Sequence, residues 1–141
     1  MTNYASYYVF VYGSLRSGFQ SPAYEYISRY FNLFGPAKVK GRLYDTGEYP
    51  AAAPVQEEAF IHGELYLVKN ESEFSWAIAQ LDGYEGIDAE DGEAPLYRRE
   101  ITDVFINDAI VPAWIYWYSG DLNNKPVIES GDILEYLKNK K

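Results

Sequence analysis

The sequence predicts an α+β domain, and three observations carry that prediction. Five segments rich in β-branched and aromatic residues read as strands. Three shorter segments place apolar residues at helical spacing. The two kinds of segment do not alternate as regularly as a doubly wound parallel sheet requires. With 141 residues and 48% hydrophobic content, the chain is the size of one domain that can close its own core. No repeat or low-complexity linker divides it, so a single domain over 1–141 is expected.

Tyr7 to Tyr12 is an unbroken aromatic and β-branched run and reads as a buried strand ending at Gly13-Ser14. Ser21-Pro22 then supplies a helix start, serine at the cap and proline at the first helical position. That helix is expected to reach about Tyr30, with Tyr26, Ile27 and Tyr30 on one side. Gly35-Pro36 reads as a break, Ala37 to Tyr44 as a second strand, and Asp45 to Pro54 as a loop. Ala59 to Val68 is the third strand, with Ile61, Leu65 and Leu67 facing one way.

Asn70 and Glu73 resemble a capping box, and Phe74, Ile78 and Leu81 recur at helical spacing behind them. Gly83 is expected to end this helix in the left-handed conformation that glycine adopts at little cost. Ala89 to Pro95 is an acidic, glycine-containing loop. Tyr97 to Ile106 and Ile110 to Tyr118 read as two strands joined by a tight turn at Asn107-Asp108. Ser130-Gly131-Asp132 opens a last short helix with Ile133, Leu134 and Leu137 on its apolar face.

Composition narrows the function classes. The chain has no cysteine and one histidine, which removes thiol catalysis and leaves one candidate for imidazole chemistry. Its net charge of −9, from 21 acidic and 12 basic residues, disfavours a nucleic-acid partner. Lys138, Lys140 and Lys141 cluster at the C-terminus as a solvated tail. No apolar run approaches the ~18 residues of a membrane span. Met1-Thr2-Asn3-Tyr4 shows no basic stretch leading into an apolar one, so a cytoplasmic location is expected. A monomer is expected, because no segment reads as an exposed apolar interface. The 15 tyrosines combine apolar area with hydroxyls that can orient a polar ligand.

Two segments stand out as carriers of chemistry. At Val11-Tyr12-Gly13-Ser14-Leu15 a strand ends in successive backbone N–H groups that can form an anion-binding nest. The same pattern also describes a plain strand-ending turn. Glu85 follows the predicted helix between Gly83 and Gly86. Held against Tyr84 and other aromatics, its carboxyl would have a raised pKa through desolvation, suited to taking a proton and returning it. Read locally, it is more readily a surface charge near Asp88, Glu90 and Asp91 than a catalyst.

His62 has no second histidine or cysteine beside it and reads as structural. The pairs Glu57-Glu58 and Asp88-Glu90 lack the loop pattern of a calcium site. Ser14 has no local base and no nucleophile-elbow motif.

In order along the chain come Tyr12-Gly13-Ser14-Leu15, Gly41-Arg42-Leu43-Tyr44 and Gly63-Glu64-Leu65-Tyr66. Leu81-Asp82-Gly83-Tyr84-Glu85-Gly86, Tyr97-Arg98-Arg99 and Ala113-Trp114-Ile115-Tyr116 complete the series. This ordered set resembles the γ-glutamylcyclotransferase-like, or AIG2-like, family from about Tyr7 to Leu137.

The resemblance implies a small mixed fold around a twisted, partly closed β-barrel of five or more strands, with a cavity at the end of the first strand. It implies that Tyr12, Gly13, Ser14 and Leu15 bind the amino-acid end of a γ-glutamyl substrate, largely through the main chain. It implies that Glu85 is the catalytic acid and base, and that Tyr97 is a pocket residue. The implied reaction releases an amine or amino acid from a γ-glutamyl amide and forms 5-oxoproline, with no metal or cofactor. The Gly13-to-Gln20 loop and the acidic Asp88-to-Glu93 segment would shape the leaving-group side.

Two other readings compete. One is a small-molecule-binding module that keeps the cavity without turnover. The other is a hydrolase pairing Glu85 with Asp82 or Asp88, for which the sequence sets no defined carboxylate separation.

Overall fold

The computed structural model describes residues 6–12, 27–46, 50–56, 58–85, 97–133 and 135–136. In chain order its strands are β1 (Tyr8–Val11), β2 (Phe31–Lys40), β3 (Arg42–Asp45), β4 (Pro50–Ala53), β5 (Phe60–Val68), β6 (Tyr97–Ile106), β7 (Ala109–Tyr118) and β8 (Val127–Ile128). The long helix is α1 (Phe74–Glu85). Five strands form a closed barrel in the order β1–β5–β2–β6–β7, and β4–β3–β8 form a separate three-stranded sheet. The expected partly closed barrel therefore closes completely. The joint between β1 and β7 is parallel, through Val9 and Trp114, and the other barrel neighbours are antiparallel.

Strand β1 shows why its run carries no polar alternation. Its side chains point to opposite faces in turn. Phe10 and Tyr12 join a cluster with Val39, Leu65 and Ile115, which fills the barrel, and this cluster extends to Leu43, Ala52 and Ile128 of the small sheet. Val9 and Val11 join a second cluster with Ile27, Phe31, Tyr66 and four residues of α1: Phe74, Ala77, Ile78 and Leu81. A strand covered on both sides reads as a continuous apolar run.

Several boundaries differ from expectation. The strand expected over Ala37 to Tyr44 is two strands, β2 and β3, divided at Gly41. Strand β2 also begins earlier, at Phe31, passing through Gly35-Pro36 with a register shift between Leu33 and Gly35. Pro36 fits because β2 pairs with β6 only at Lys38 and Val39, so the missing N–H falls where the ladder is one-sided. The expected loop from Asp45 to Pro54 contains β4. Its alanines carry little strand propensity, and burial against the core makes them a strand, with Ala51 and Ala52 fully covered.

Asn70 does open the second helical segment. Its side-chain oxygen accepts from the Ser72 N–H at 3.0 Å, ahead of a 3₁₀ turn over Glu71–Glu73. Gly83, however, lies inside α1, so Glu85 is its last helical residue and does not follow the helix. An interior glycine costs about 1 kcal/mol. Burial of Phe74, Ile78 and Leu81, each worth about 1.5–3 kcal/mol, outweighs that.

The turn at Asn107-Asp108 forms as expected, with Asn107 at a positive φ of 54°. Residues 27–30 are helical, and Ser21, Pro22 and Tyr26 lie outside the described residues. The last helical turn is capped by Asp132, whose carboxylate accepts from the Glu135 N–H at 3.3 Å. Ile133 is buried there, and Leu134 and Leu137 lie outside the described residues. So does the Ala89 to Pro95 segment. Among the described residues no helix is long and apolar enough to cross a membrane.

Candidate active site

Tyr12 closes β1 and points into the barrel, where it is 6% exposed. Its hydroxyl donates to the main-chain oxygen of Tyr116 on β7. The phenol is thereby engaged inside the protein. Gly13, Ser14 and Leu15, the remainder of the predicted binding loop, lie outside the described residues.

Tyr97 comes to the same end of the barrel. Continuing the parallel register from Val9–Trp114 brings Tyr12 level with Trp117, and Trp117 pairs with Arg98. Tyr97 is 7% exposed, packs edge to face on Tyr118 at 5.5 Å, and donates its hydroxyl to the Pro50 carbonyl at 3.0 Å. It ties the barrel to the start of β4. The predicted pocket residue is thus an anchor between two sheets through its hydroxyl.

Glu85 is described through its backbone, as the end of α1. The helix begins where Phe74 meets Tyr7 edge to face at 5.2 Å, beside the start of β1. Four residues before Glu85, Leu81 is buried in the cluster that contains Val11 and Tyr97. The elements carrying Tyr12, Tyr97 and Glu85 therefore share one block of packed side chains.

Two residues near the end of β1 carry structure that the sequence pattern did not single out. Gly63 faces the barrel interior, and a Cβ there would lie 2.1 Å from the Val11 carbonyl and 2.7 Å from the Phe10 ring. Only glycine lets β1 and β5 approach this closely. Next to it, Glu64 stands opposite Val11 in the ladder and accepts from the Tyr66 hydroxyl at 3.1 Å. Period-2 alternation shows which face Glu64 occupies, but its neighbour across the ladder comes only from the register.

His62 is exposed, and its N–H donates to the Gly131 carbonyl at 2.7 Å. It borders two surface grooves, one of about 390 Å³ with Arg42, Phe60 and Ile128, the other of about 310 Å³ with Lys38 and Phe105. Neither groove includes Tyr12, Tyr97 or a residue of α1. Among the described residues no cluster of three or more histidine, aspartate or glutamate side chains is arranged to hold a metal ion.

Comparison with known proteins agrees with this architecture. Residues 9–135 match the family described as "Gamma-glutamyl cyclotransferase, AIG2-like". A Vibrio cholerae protein named "Putative gamma-glutamylcyclotransferase" is 36% identical over 124 residues, 88% of this chain and 92% of that one. Escherichia coli YtfP, named a gamma-glutamylcyclotransferase family protein, is 30% identical over 128 residues, covering 90% of this chain and 96% of YtfP. The solution structure of YtfP matches with a TM-score of 0.62 at 28% identity, covering 92% of this chain and 97% of that one. YkqA from Bacillus subtilis matches 94% of this chain with a TM-score of 0.65 at 25% identity, and this chain spans 43% of its length. With a match that enters in β1 and runs through every later strand into the last helical turn, the chain belongs to the γ-glutamylcyclotransferase, AIG2-like family.

Proposed function

We propose that this protein is a γ-glutamylcyclotransferase, releasing an amine or amino acid from a γ-glutamyl amide as the substrate closes to 5-oxoproline, with Glu85 as acid and base. The observation that supports the proposal is the packing of α1 and β1 into one cluster. Phe74 meets Tyr7 at their starts, and Leu81 shares a cluster with Val11 near their ends. Twelve helical residues rise about 18 Å and the run from Tyr7 to Tyr12 spans about 17 Å, so a helix laid along this strand ends level with it. On this reading Glu85 would serve the end of β1, where Tyr12 leads into Gly13.

The chemistry fits such a pairing. The substrate's α-amine attacks its own γ-carbonyl, the new C–N bond closes a five-membered ring, and the bond to the leaving amine breaks. The α-ammonium loses two protons on becoming the lactam N–H, one before attack and one after it, and the departing nitrogen gains both and leaves as an ammonium. A single carboxylate can perform both transfers, and no water, redox partner or protein nucleophile enters the balance.

Folding the substrate into its attacking geometry is the main task, and intramolecular alignment of this kind is worth about 7–11 kcal/mol. Main-chain donors from Gly13, Ser14 and Leu15 would hold the substrate and its developing oxyanion, each donor contributing about 3–4 kcal/mol in comparable sites.

A screen of γ-glutamyl amides for 5-oxoproline release tests the proposal. Turnover of at least one substrate by the wild type, and its loss in Glu85→Gln, is the expected result. Binding without turnover of any of them would instead favour a binding module of the same fold.

A further inference from the structure

We infer that the open edge of β2 binds an extended acidic peptide segment of a partner protein, taking it up as an added strand. Strand β2 runs beside β5 from Phe31 to Lys40, but it pairs with β6 only at Lys38 and Val39. Among the described residues no strand flanks the stretch from Phe31 to Pro36 on that second side. Occupancy of this edge needs no part of the proposed catalytic machinery.

The ladder shows which groups the edge presents. The Lys69 N–H donates to the Tyr30 carbonyl at 2.9 Å, in register with the Asn32–Leu67 pair. The Val68 N–H turns the other way, to the Tyr7 carbonyl at 3.2 Å. Bonded and unbonded pairs alternate along an antiparallel ladder. Asn32 therefore faces β5, and Phe31 and Leu33 direct their N–H and C=O groups to the open side. Beside them the side chains of Leu33 and Phe34 are 49% and 53% exposed. Phe34 is held edge to face on Tyr8 at 5.5 Å, so its exposed surface is fixed in place. Strand addition uses this combination, the main chain supplying affinity and the side chains selectivity.

Charge names the occupant. Between Glu25 and Asp45 stand four of the 12 basic residues, Arg29, Lys38, Lys40 and Arg42, and none of the 21 acidic ones. A chain of net charge −9 thus has a basic stretch, and the open edge lies inside it. Arg29 before the edge and Lys38 and Lys40 beyond it are exposed. A strand of about six residues spans about 20 Å. A peptide with an apolar centre and acidic ends would meet Leu33 and Phe34 in its middle and a cation at each end. A second copy fits less well, because two-fold pairing centred on Leu33 would bring Lys38 of one copy toward Arg29 of the other. A nucleic acid has no main-chain amides for the ladder, and the acidic remainder of the chain repels it.

The test uses the whole protein with the peptide acetyl-Glu-Glu-Val-Thr-Val-Thr-Val-Glu-Glu-amide and its counterpart with lysine for glutamate. Calorimetry is expected to show the acidic peptide binding at least about tenfold more tightly, a preference that shrinks with added salt. Amide hydrogen exchange at Phe31 and Leu33 should slow by at least about tenfold when the acidic peptide is bound, and exchange at Asn32 should change less. Lys38→Glu should weaken the acidic peptide by about fivefold, and Arg29→Glu, at the other end of the edge, carries the test if the first variant does not fold. No binding, equal affinity for the two peptides, or binding that leaves exchange at Phe31 and Leu33 unchanged overturns the inference. A wild-type dimer in sedimentation, with those two amides already protected, also overturns it, because a second copy would then hold the edge. None of these readouts depends on 5-oxoproline release, so the outcome is separate from that of the proposed reaction.

Discussion

The phenol of Tyr12 donates to the main-chain carbonyl of Tyr116, joining the residue that follows the first strand to the neighbouring strand of the barrel. The same side chain thus holds together the one parallel joint of the barrel, where β1 and β7 pair through Val9 and Trp114. Tyr12→Phe keeps the ring and removes the bond. The expected loss of stability is about 1–2 kcal/mol, read from urea unfolding. Binding of a γ-glutamyl ligand should weaken by no more than about fivefold, because the ring still packs and the proposed ligand contacts are main-chain.

Gly63 sets how closely β5 can approach β1. Its hydrogen faces the Val11 carbonyl and the Phe10 ring at distances that no methyl group can share. Gly63→Ala is expected to destabilise the fold by about 1–3 kcal/mol, as overpacking does. It should also reduce 5-oxoproline release by more than the unfolded fraction explains, since the displaced element is the strand that leads into the binding loop. Denaturation and activity measured on the same preparation separate the two effects.

Tyr97 gives a sharper contrast between anchoring and binding. Its hydroxyl serves the Pro50 carbonyl, so Tyr97→Phe should cost about 1 kcal/mol of stability and change KM by less than about threefold. A large rise in KM with unchanged stability would mean that the hydroxyl meets substrate instead. Chemical denaturation together with a steady-state KM decides between them.

Much of the fold was legible in the residues themselves. Tyr97 to Ile106 and the strand after it, with Asn107-Asp108 between them, read directly as a hairpin because β-branched and aromatic residues flank a two-residue turn. The barrel came through the ordered motifs and not through periodicity. What stayed hidden depends on tertiary contact. Pro36 looks like a chain break until β2 is seen to pair on one side only at that residue. Ala51 and Ala52 look like loop until the core covers them. Gly83 has the local character of a helix stop, but the buried stripe of Phe74, Ile78 and Leu81 carries the helix through it. Glu64 is one acidic residue among many until the register sets it against Val11.

The central claim is that Glu85, at the end of α1, moves the proton in a ring closure held by the end of β1. Its most direct test is the rate of 5-oxoproline release from a γ-glutamyl amide by Glu85→Gln, with ligand affinity and thermal unfolding measured on the same protein. The account predicts a rate at least about a hundredfold below wild type, with the melting temperature and affinity little changed. Release at the wild-type rate by Glu85→Gln would contradict it.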